Sequence, residues 1–170
     1  MDQIYTHPKR KTKVVFVQLG SPSEPTTKAL RKYLRKFLGD PRVVDINPWL
    51  WKIILNFFVL PFRPKKSAKL YARIWDGKSF PLITNTKNFT NNVREELKKI
   101  DPNGHVEVNH AFLLSPPYVN EVYDSWEDDL KRGIGATKLL VIPMFPQYSE
   151  STIASGIDAL AKELSKRVKI

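Results

Sequence analysis

The chain has 170 residues, 42% hydrophobic and 26% charged, which suits one folded domain with a real core and excludes a disordered polymer. It has no cysteine, so disulfides, thiolate metal sites and cysteine-ligated iron–sulfur clusters are excluded, and a reducing compartment fits. The net charge of +11 is lopsided: residues 1–80 carry 17 Lys/Arg against 5 Asp/Glu, and residues 81–170 carry 11 against 12. A basic half is either a solvated lysine-rich face or a surface for nucleic acid, an anionic membrane or an acidic ligand.

Residues 1–12 read as a basic tail. The opening MDQIYTHPKRKTK has no apolar core of the kind a signal peptide needs. Lys13–Leu19 (KVVFVQL) is a β-branched run ending at Gly20, which predicts a buried strand leaving into a loop. After GSPSEP, the spacing of Leu30, Tyr33, Leu34, Phe37 and Leu38 predicts an amphipathic helix stopped by Gly39-Asp40-Pro41.

The next stretch, NPWLWKIILNFFVLPFRPKK from Asn47 to Lys66, is the most apolar in the chain. Between Pro48 and Phe62 only Lys52 and Asn56 are strongly polar, and Arg63, Lys65 and Lys66 follow at once. It is shorter than the roughly 18–20 apolar residues a spanning helix needs, and two prolines break it. Periodicity leaves a core helix and an interfacial helix equally open.

Further helices are predicted from about Ser67 through Trp75 and from about Asn88 to Ile100. Val106–Leu114 and Thr137–Phe145 read as buried strands, with a helix marked by Val122, Trp126 and Leu130 between them. A last helix runs from about Thr152 to Arg167, and Val168-Lys169-Ile170 looks like the opening of a fourth strand. Strands alternating with helices predict an α/β fold, an open parallel sheet with helices on both faces, Rossmann-like in class.

Ligands of such sheets sit at the carboxyl ends of the strands. Three loops qualify: LGSPSEPT, LLSPPYV and FPQYSEST. None is a GxGxxG or P-loop, so a dinucleotide or nucleoside triphosphate lacks its usual signature. His7, His105 and His110 have no carboxylate or third histidine at ligand spacing, so no metal site is expected. Asp124, Glu127, Asp128 and Asp129 read as a solvated helix face.

Four segments in order resemble the ferrochelatase family, which inserts ferrous iron into a porphyrin in haem biosynthesis. VVFVQLGSPSEPT…LRKYLRKFLGDPRVV is similar to the family's first strand, loop, helix and Asp-Pro-Arg turn. LPFRPKKSAKLYARIW resembles its arginine-to-tyrosine segment, SFPL its Gly-Gly-Ser-Pro-Leu, and VIPMFPQYSESTIASGIDAL its Tyr-Pro-Gln-Tyr-Ser and Ser-Thr run. The resemblance implies a chelatase-type half: residues 13–170 as the amino-terminal α/β domain of a two-domain protein, cut at the fourth strand. The missing second half would then be a partner.

In the family the porphyrin lies between the two halves, and the histidine and carboxylate motifs lie in the second. No catalytic residue is therefore expected here, and this half alone should be inactive. The carry-over is to porphyrin-binding positions: Arg63 and Tyr71, eight residues apart, then Ser79, and Leu19 and Phe145 against the macrocycle. Arginine suits a porphyrin carboxylate bidentately, and hydroxyls add hydrogen bonds. Core burial accounts equally well for Tyr71, Leu19 and Phe145.

Ferrous iron and porphyrin are implied as substrates, with no cofactor held by this chain. Glu150 stands where some members have a cluster cysteine, so no iron–sulfur cluster is expected. Phe112-Leu113 stands where the family commonly has Arg-Tyr, which leaves a non-catalytic tetrapyrrole-binding module as the alternative. Nucleic-acid binding lacks a reader motif. Beside Arg63 and Tyr71, the apolar stretch suggests a cleft lip of Trp49, Trp51 and Phe57 resting on an anionic membrane, in a cytoplasmic, peripherally attached protein.

Overall fold

In a computed structural model, residues 11–133 and 136–167 are described; the basic tail up to Arg10 and the expected fourth strand at 168–170 lie outside them. Three parallel strands form the sheet in the order β2-β1-β3: β1 (Thr12–Gln18), β2 (Val106–Phe112) and β3 (Lys138–Pro143). β1 is the centre, with Val14 paired to Val108 and Leu140, and Phe16 to His110 and Ile142. A strand flanked on both edges and covered on both faces has no polar side, which is why VVFV reads as a continuous run.

Strand alternation divides the core in two. Val15, Val17 and Ala111 face α5 (Val119–Lys131) and α6 (Ser155–Arg167), where Val119, Val122 and Leu160 meet them. Val14, Phe16 and Val108 face α4 (Pro81–Ile100) through Val93 and Leu97. The expected α/β sheet with helices on both faces is the observed architecture.

Helix ends follow local chemistry. α1 (Thr27–Leu38) starts where the Thr26 hydroxyl accepts the Ala29 N–H at 3.2 Å, and ends at Gly39. α3 (Arg63–Tyr71) begins four residues before the expected Ser67, with Pro64 in its first turn. α4 begins seven residues before the expected Asn88, at Pro81. Its first turns carry Thr84, Asn85 and Thr86, weak helix formers. Packing overrides propensity, since Thr86 and Thr90 are buried and their hydroxyls donate to Leu82 O and Thr86 O at 2.7 and 2.8 Å.

The apolar stretch folds as α2 (Pro48–Ile54), a π-helical turn over Leu55–Val59 and a return into α3. Its inner side is core: Leu55 and Leu60 are buried against Tyr33, Leu34 and Leu38 of α1. Arg31 secures the return by donating Nε–H to Leu60 O at 3.2 Å. Its outer side carries Trp49 at 75% exposure and Phe57 at 70%, with Leu50, Phe58 and Phe62 also exposed. Core helix and interfacial helix are thus two sides of one segment.

Two charged contacts differ from a solvated surface. Lys13, only 2% exposed, is held by Glu107 at 3.3 Å and by Asp129 at 3.8 Å. Asp129 therefore is no solvated helix charge; it compensates a buried amine beside β1. The α4–β2 turn is closed by Asp101, which meets His105 Nδ1 at 2.8 Å and accepts the Val106 N–H at 2.8 Å. The His105 contact, then the Val106 N–H, hold the Asp101 carboxyl below its usual range.

The exit of β1 requires glycine. Gly20 has φ +94°, and a Cβ there would stand 2.4 Å from Ser115 Oγ and 3.1 Å from Phe112 Cβ. Replacing Gly20 with Ala combines left-handed strain with this clash and should cost about 1–3 kcal/mol, read as a lowered Tm. For Asp101→Asn, the folded carboxyl pKa is depressed, so its contribution is present above the unfolded value of about 3.9 and is lost as pH falls through the folded value. The Tm gap between Asp101→Asn and the parent should therefore be open at pH 6 and close on acidification below about pH 4; a gap constant across that range would contradict the assignment.

Candidate functional site

β1 and β2 end side by side, and their pairing continues past both strands. Leu113 N–H donates to Gln18 O and Leu114 N–H to Leu19 O, each at 3.0 Å. Beyond them the Ser21 N–H donates to Ser115 Oγ at 3.3 Å, across the close approach that Gly20 permits. The loops after β1 and β2 thereby form one floor. This is the edge of an open parallel sheet where ligands bind.

Over that floor lies a cleft of about 330 Å³. α1 lines one side with Ala29, Lys32, Tyr33 and Lys36. The chain leading into α4 lines another with Trp75, Lys78, Ser79 and Phe80. Ser21, Ser115, Pro116 and Tyr118 come from the two strand loops. No Asp or Glu is among the lining residues, so the wall is aromatic and the charge wholly positive.

The aromatic wall is continuous. Tyr71 meets Phe80 edge-on at 5.4 Å between centroids, Trp75 meets Phe80 at 4.7 Å, and Tyr33 lies 6.2 Å from both Tyr71 and Phe37. Edge-to-face packing fixes the rings against each other: Tyr33 and Phe80 are buried, and Trp75 is the half-buried ring of the set at the cleft. Burial, and then the Tyr71 phenol beside it, push the Tyr33 hydroxyl far above the ordinary tyrosine range, so it stays neutral.

The residues expected from sequence separate. Ser79 lines the cleft; its N–H donates to Asp76 Oδ1 at 2.5 Å and its hydroxyl to Phe80 O at 3.4 Å. Tyr71 is half-buried in the aromatic wall behind it. Arg63 is exposed at the first residue of α3, about 12 Å along the helix axis from Tyr71, and is not a lining residue. Leu19 is half-buried and lines an adjoining cavity of about 240 Å³ with Phe37, Phe112 and Ser155. Phe145, half-buried beyond β3, lines neither cavity.

The three lip residues also differ from one another. Trp49 and Phe57 are exposed, whereas Trp51 is half-buried against the α1 core and donates its indole N–H to Leu38 O at 2.6 Å. Of the three candidate loops, the first two meet at the cleft; the third contributes Ser151 to the adjoining cavity. Arg42 and Asp158 form a bidentate ion pair that ties the chain after α1 to α6. That contact holds the Asp158 carboxyl below its usual range.

Sequence reasoning missed Lys32, Lys36, Lys78 and Tyr118. The available signal was the four-residue spacing of Lys32 and Lys36, which sets both beside Ala29 and Tyr33 on one side of α1. Phe112, where the family pattern commonly has arginine, is fully buried core. Among the described residues no three His, Asp or Glu side chains stand together as a metal-ligand set.

Comparison with known proteins gives the same direction. The family model described as Ferrochelatase matches residues 11–170. The chain is 41% identical over 154 residues to a ferrochelatase of Idiomarina loihiensis, which covers 91% of this chain and 41% of that protein. It is 40% identical over 161 residues to ferrochelatase 1 of Shewanella oneidensis (95% and 46%), and 36% identical over 166 residues to a ferrochelatase of Francisella tularensis (96% and 46%). The chain spans less than half the length of these curated relatives. With the family model matched from the first described residue onward and a basic, aromatic cleft at the sheet's carboxyl edge, this chain belongs to the ferrochelatase family.

Proposed function

We propose that this chain supplies the amino-terminal wall of a porphyrin cleft in a protein that inserts ferrous iron into the macrocycle for haem biosynthesis. The observation that carries the proposal is the cleft itself: a continuous aromatic wall with an all-cationic rim, at the edge of the sheet where the family's first two strand loops meet. A flat apolar ring with carboxylate side chains fits both properties. A volume of about 330 Å³ lies at the small end of ligand sites, as expected of one wall whose counterpart comes from the second half.

In this reading the ring lies against the half-buried Trp75, which the buried Phe80 supports from behind. Ser79 offers a hydroxyl at the rim, Tyr71 stiffens the wall, and Arg63 meets a carboxylate that extends beyond the cleft. Leu19 and Phe145 flank the macrocycle on the β1 and β3 sides. Metallation exchanges two pyrrole protons for one ferrous ion, which enters as substrate. No group of this chain is assigned as the proton acceptor; that role belongs to the second half, so the 170-residue chain binds porphyrin without turning it over.

The exposed face of α2 and the following turn is read as a peripheral membrane contact of a cytoplasmic protein. Trp49 and Phe57 enter the interface while Lys52, Lys65, Lys66 and Lys69 lie near anionic headgroups, each worth about 1 kcal/mol. Consistent with an attachment that does not cross the bilayer, no helix among the described residues is long and apolar enough to span it. Trp51 contributes differently, by holding the segment to α1.

A second reading, tetrapyrrole binding without metallation by any partner, draws on Phe112 and Leu113 in place of the family's Arg-Tyr. The two are separated by mixing this chain with the second half of a bacterial relative and supplying ferrous iron and porphyrin. Haem formation supports the enzyme, and its absence with intact porphyrin binding supports the module.

Titration of protoporphyrin into this chain should give a saturable Soret shift. Arg63→Ala should weaken it about tenfold, the loss of one charge-assisted hydrogen bond, and Tyr71→Phe by less. No saturable shift in the parent would sink the proposal, and indifference to Arg63→Ala would remove that residue from it. Anionic vesicles should co-sediment the parent and release Trp49→Ser/Phe57→Ser; equal sedimentation of both would overturn the membrane contact.

A further inference from the structure

We propose that the Arg42–Asp158 ion pair is an openable strap across the cavity of about 240 Å³ beside the cleft, holding the third strand loop and the first turn of α6 against the turn that follows α1. Asp40 and Val43 line that cavity on the α1 side, and Ser151, Ser155 and Ala159 line it on the α6 side, so the pair joins its two walls. The strap does not depend on which ligand the cleft takes.

The two ends of the strap are supported differently. On the α1 side a tight turn presents the guanidinium: Asp40 Oδ1 accepts the Arg42 N–H at 2.8 Å, and Asp40 O accepts the Val43 and Val44 N–H groups at 3.0 and 3.2 Å. Val43 and Val44 pack against the core cluster that includes Leu34 and Leu38, so Arg42 projects from a firm base. On the other side the chain is pinned only where it leaves β3. There the Met144 N–H donates to Val17 O at 2.8 Å, and Gln18 Nε2 donates to Met144 O at 2.9 Å. Further along, the polar contacts of the loop stay within it: the Ser149 and Ser151 hydroxyls are 3.0 Å apart, and Ser155 Oγ donates to Glu150 O at 3.3 Å.

Arg42 Nε and Nη2 donate to the two Asp158 oxygens, Nη2 at 3.1 Å, across 116 residues of sequence. Among the described residues no other hydrogen bond or ion pair joins residues 39–44 to residues 149–160. The Asp158 bond, and after it the charges of Asp158, Tyr148 and Glu150, raise the Arg42 guanidinium further above its ordinary value. One cation therefore attracts the third loop as well as the helix that follows. Both partners are solvated, with side chains 39% and 55% exposed, so the tie is weak enough to open while the sheet stays folded, and its bidentate geometry makes it stronger than a single contact. Opening releases the loop and first helical turn beyond Met144, which widens the cavity and exposes Ser155, now 9% exposed on its wall.

Hydrogen exchange of the 170-residue chain, read over residues 149–160, tests the strap. Asp158→Asn and Arg42→Gln should each lower protection there about two- to fivefold, leave β1 unchanged, and lose their effect as salt rises from about 0.05 to 0.5 M. The charge-swapped Arg42→Asp/Asp158→Arg chain should recover most of the protection. Because the chain has no cysteine, Ser155→Cys places a single thiol on the cavity wall. Its reaction with N-ethylmaleimide should quicken about two- to fivefold when Asp158→Asn is added. Equal protection in parent and single variants overturns the proposal. So does loosening that the charge swap fails to restore, or that spreads equally to β1, since either would mark the residues as general supports of the fold. A thiol rate indifferent to Asp158→Asn overturns control of the cavity.

Discussion

The site depends on one close approach of backbone. The chain leaving β1 and the chain leaving β2 touch at Gly20 and Ser115, where no side-chain carbon fits. Because the two strands are hydrogen-bonded neighbours and their pairing runs on through Leu113 and Leu114, the two loops emerge as one surface. A wider separation would split that floor. The serines and the aromatic wall would then belong to different regions of the molecule.

Burial around the cleft is arranged so that rigidity comes from packing and polarity from the rim. Tyr33 is buried and neutral, and its ring stacks over Phe37 while Phe80 receives both Tyr71 and Trp75. Those side chains come from α1, from α3 and from the segment before α4, so the wall is also what joins these elements. The same residues thus pack these elements together and form the cleft's wall. A packed position and a place beside the cleft are therefore compatible for Tyr71.

Much of this was legible in the sequence, for local reasons. The β-branched run at Lys13–Leu19 and the spacing of Leu30, Tyr33, Leu34, Phe37 and Leu38 mark elements whose periodicity is intrinsic to strand and helix. Strand ends fall within a few residues of those expected, whereas the prolines that open α3 and α4, Pro64 and Pro81, mark starts that periodicity alone does not give. α4 was foreshortened because Thr84, Asn85 and Thr86 are poor helix formers, and only burial of Thr86 and Thr90 against neighbouring structure explains their helical conformation. Asp129 reads from sequence as a solvated charge because its partner, Lys13, lies on another element far away in the chain.

The order of four short motifs determined family membership, since backbone turns and their special residues are encoded locally and survive as patterns. Strand and helix alternation likewise determined the α/β class. What tertiary structure alone decided is which residues share a surface. Lys36 meets Tyr118 across 82 residues of sequence, Trp51 turns inward to Leu38 while Trp49 two residues earlier faces out, and Ser79 reaches the cleft that Arg63 does not. Side-chain neighbours across a fold are set by the packing of whole elements, and no local period carries that information.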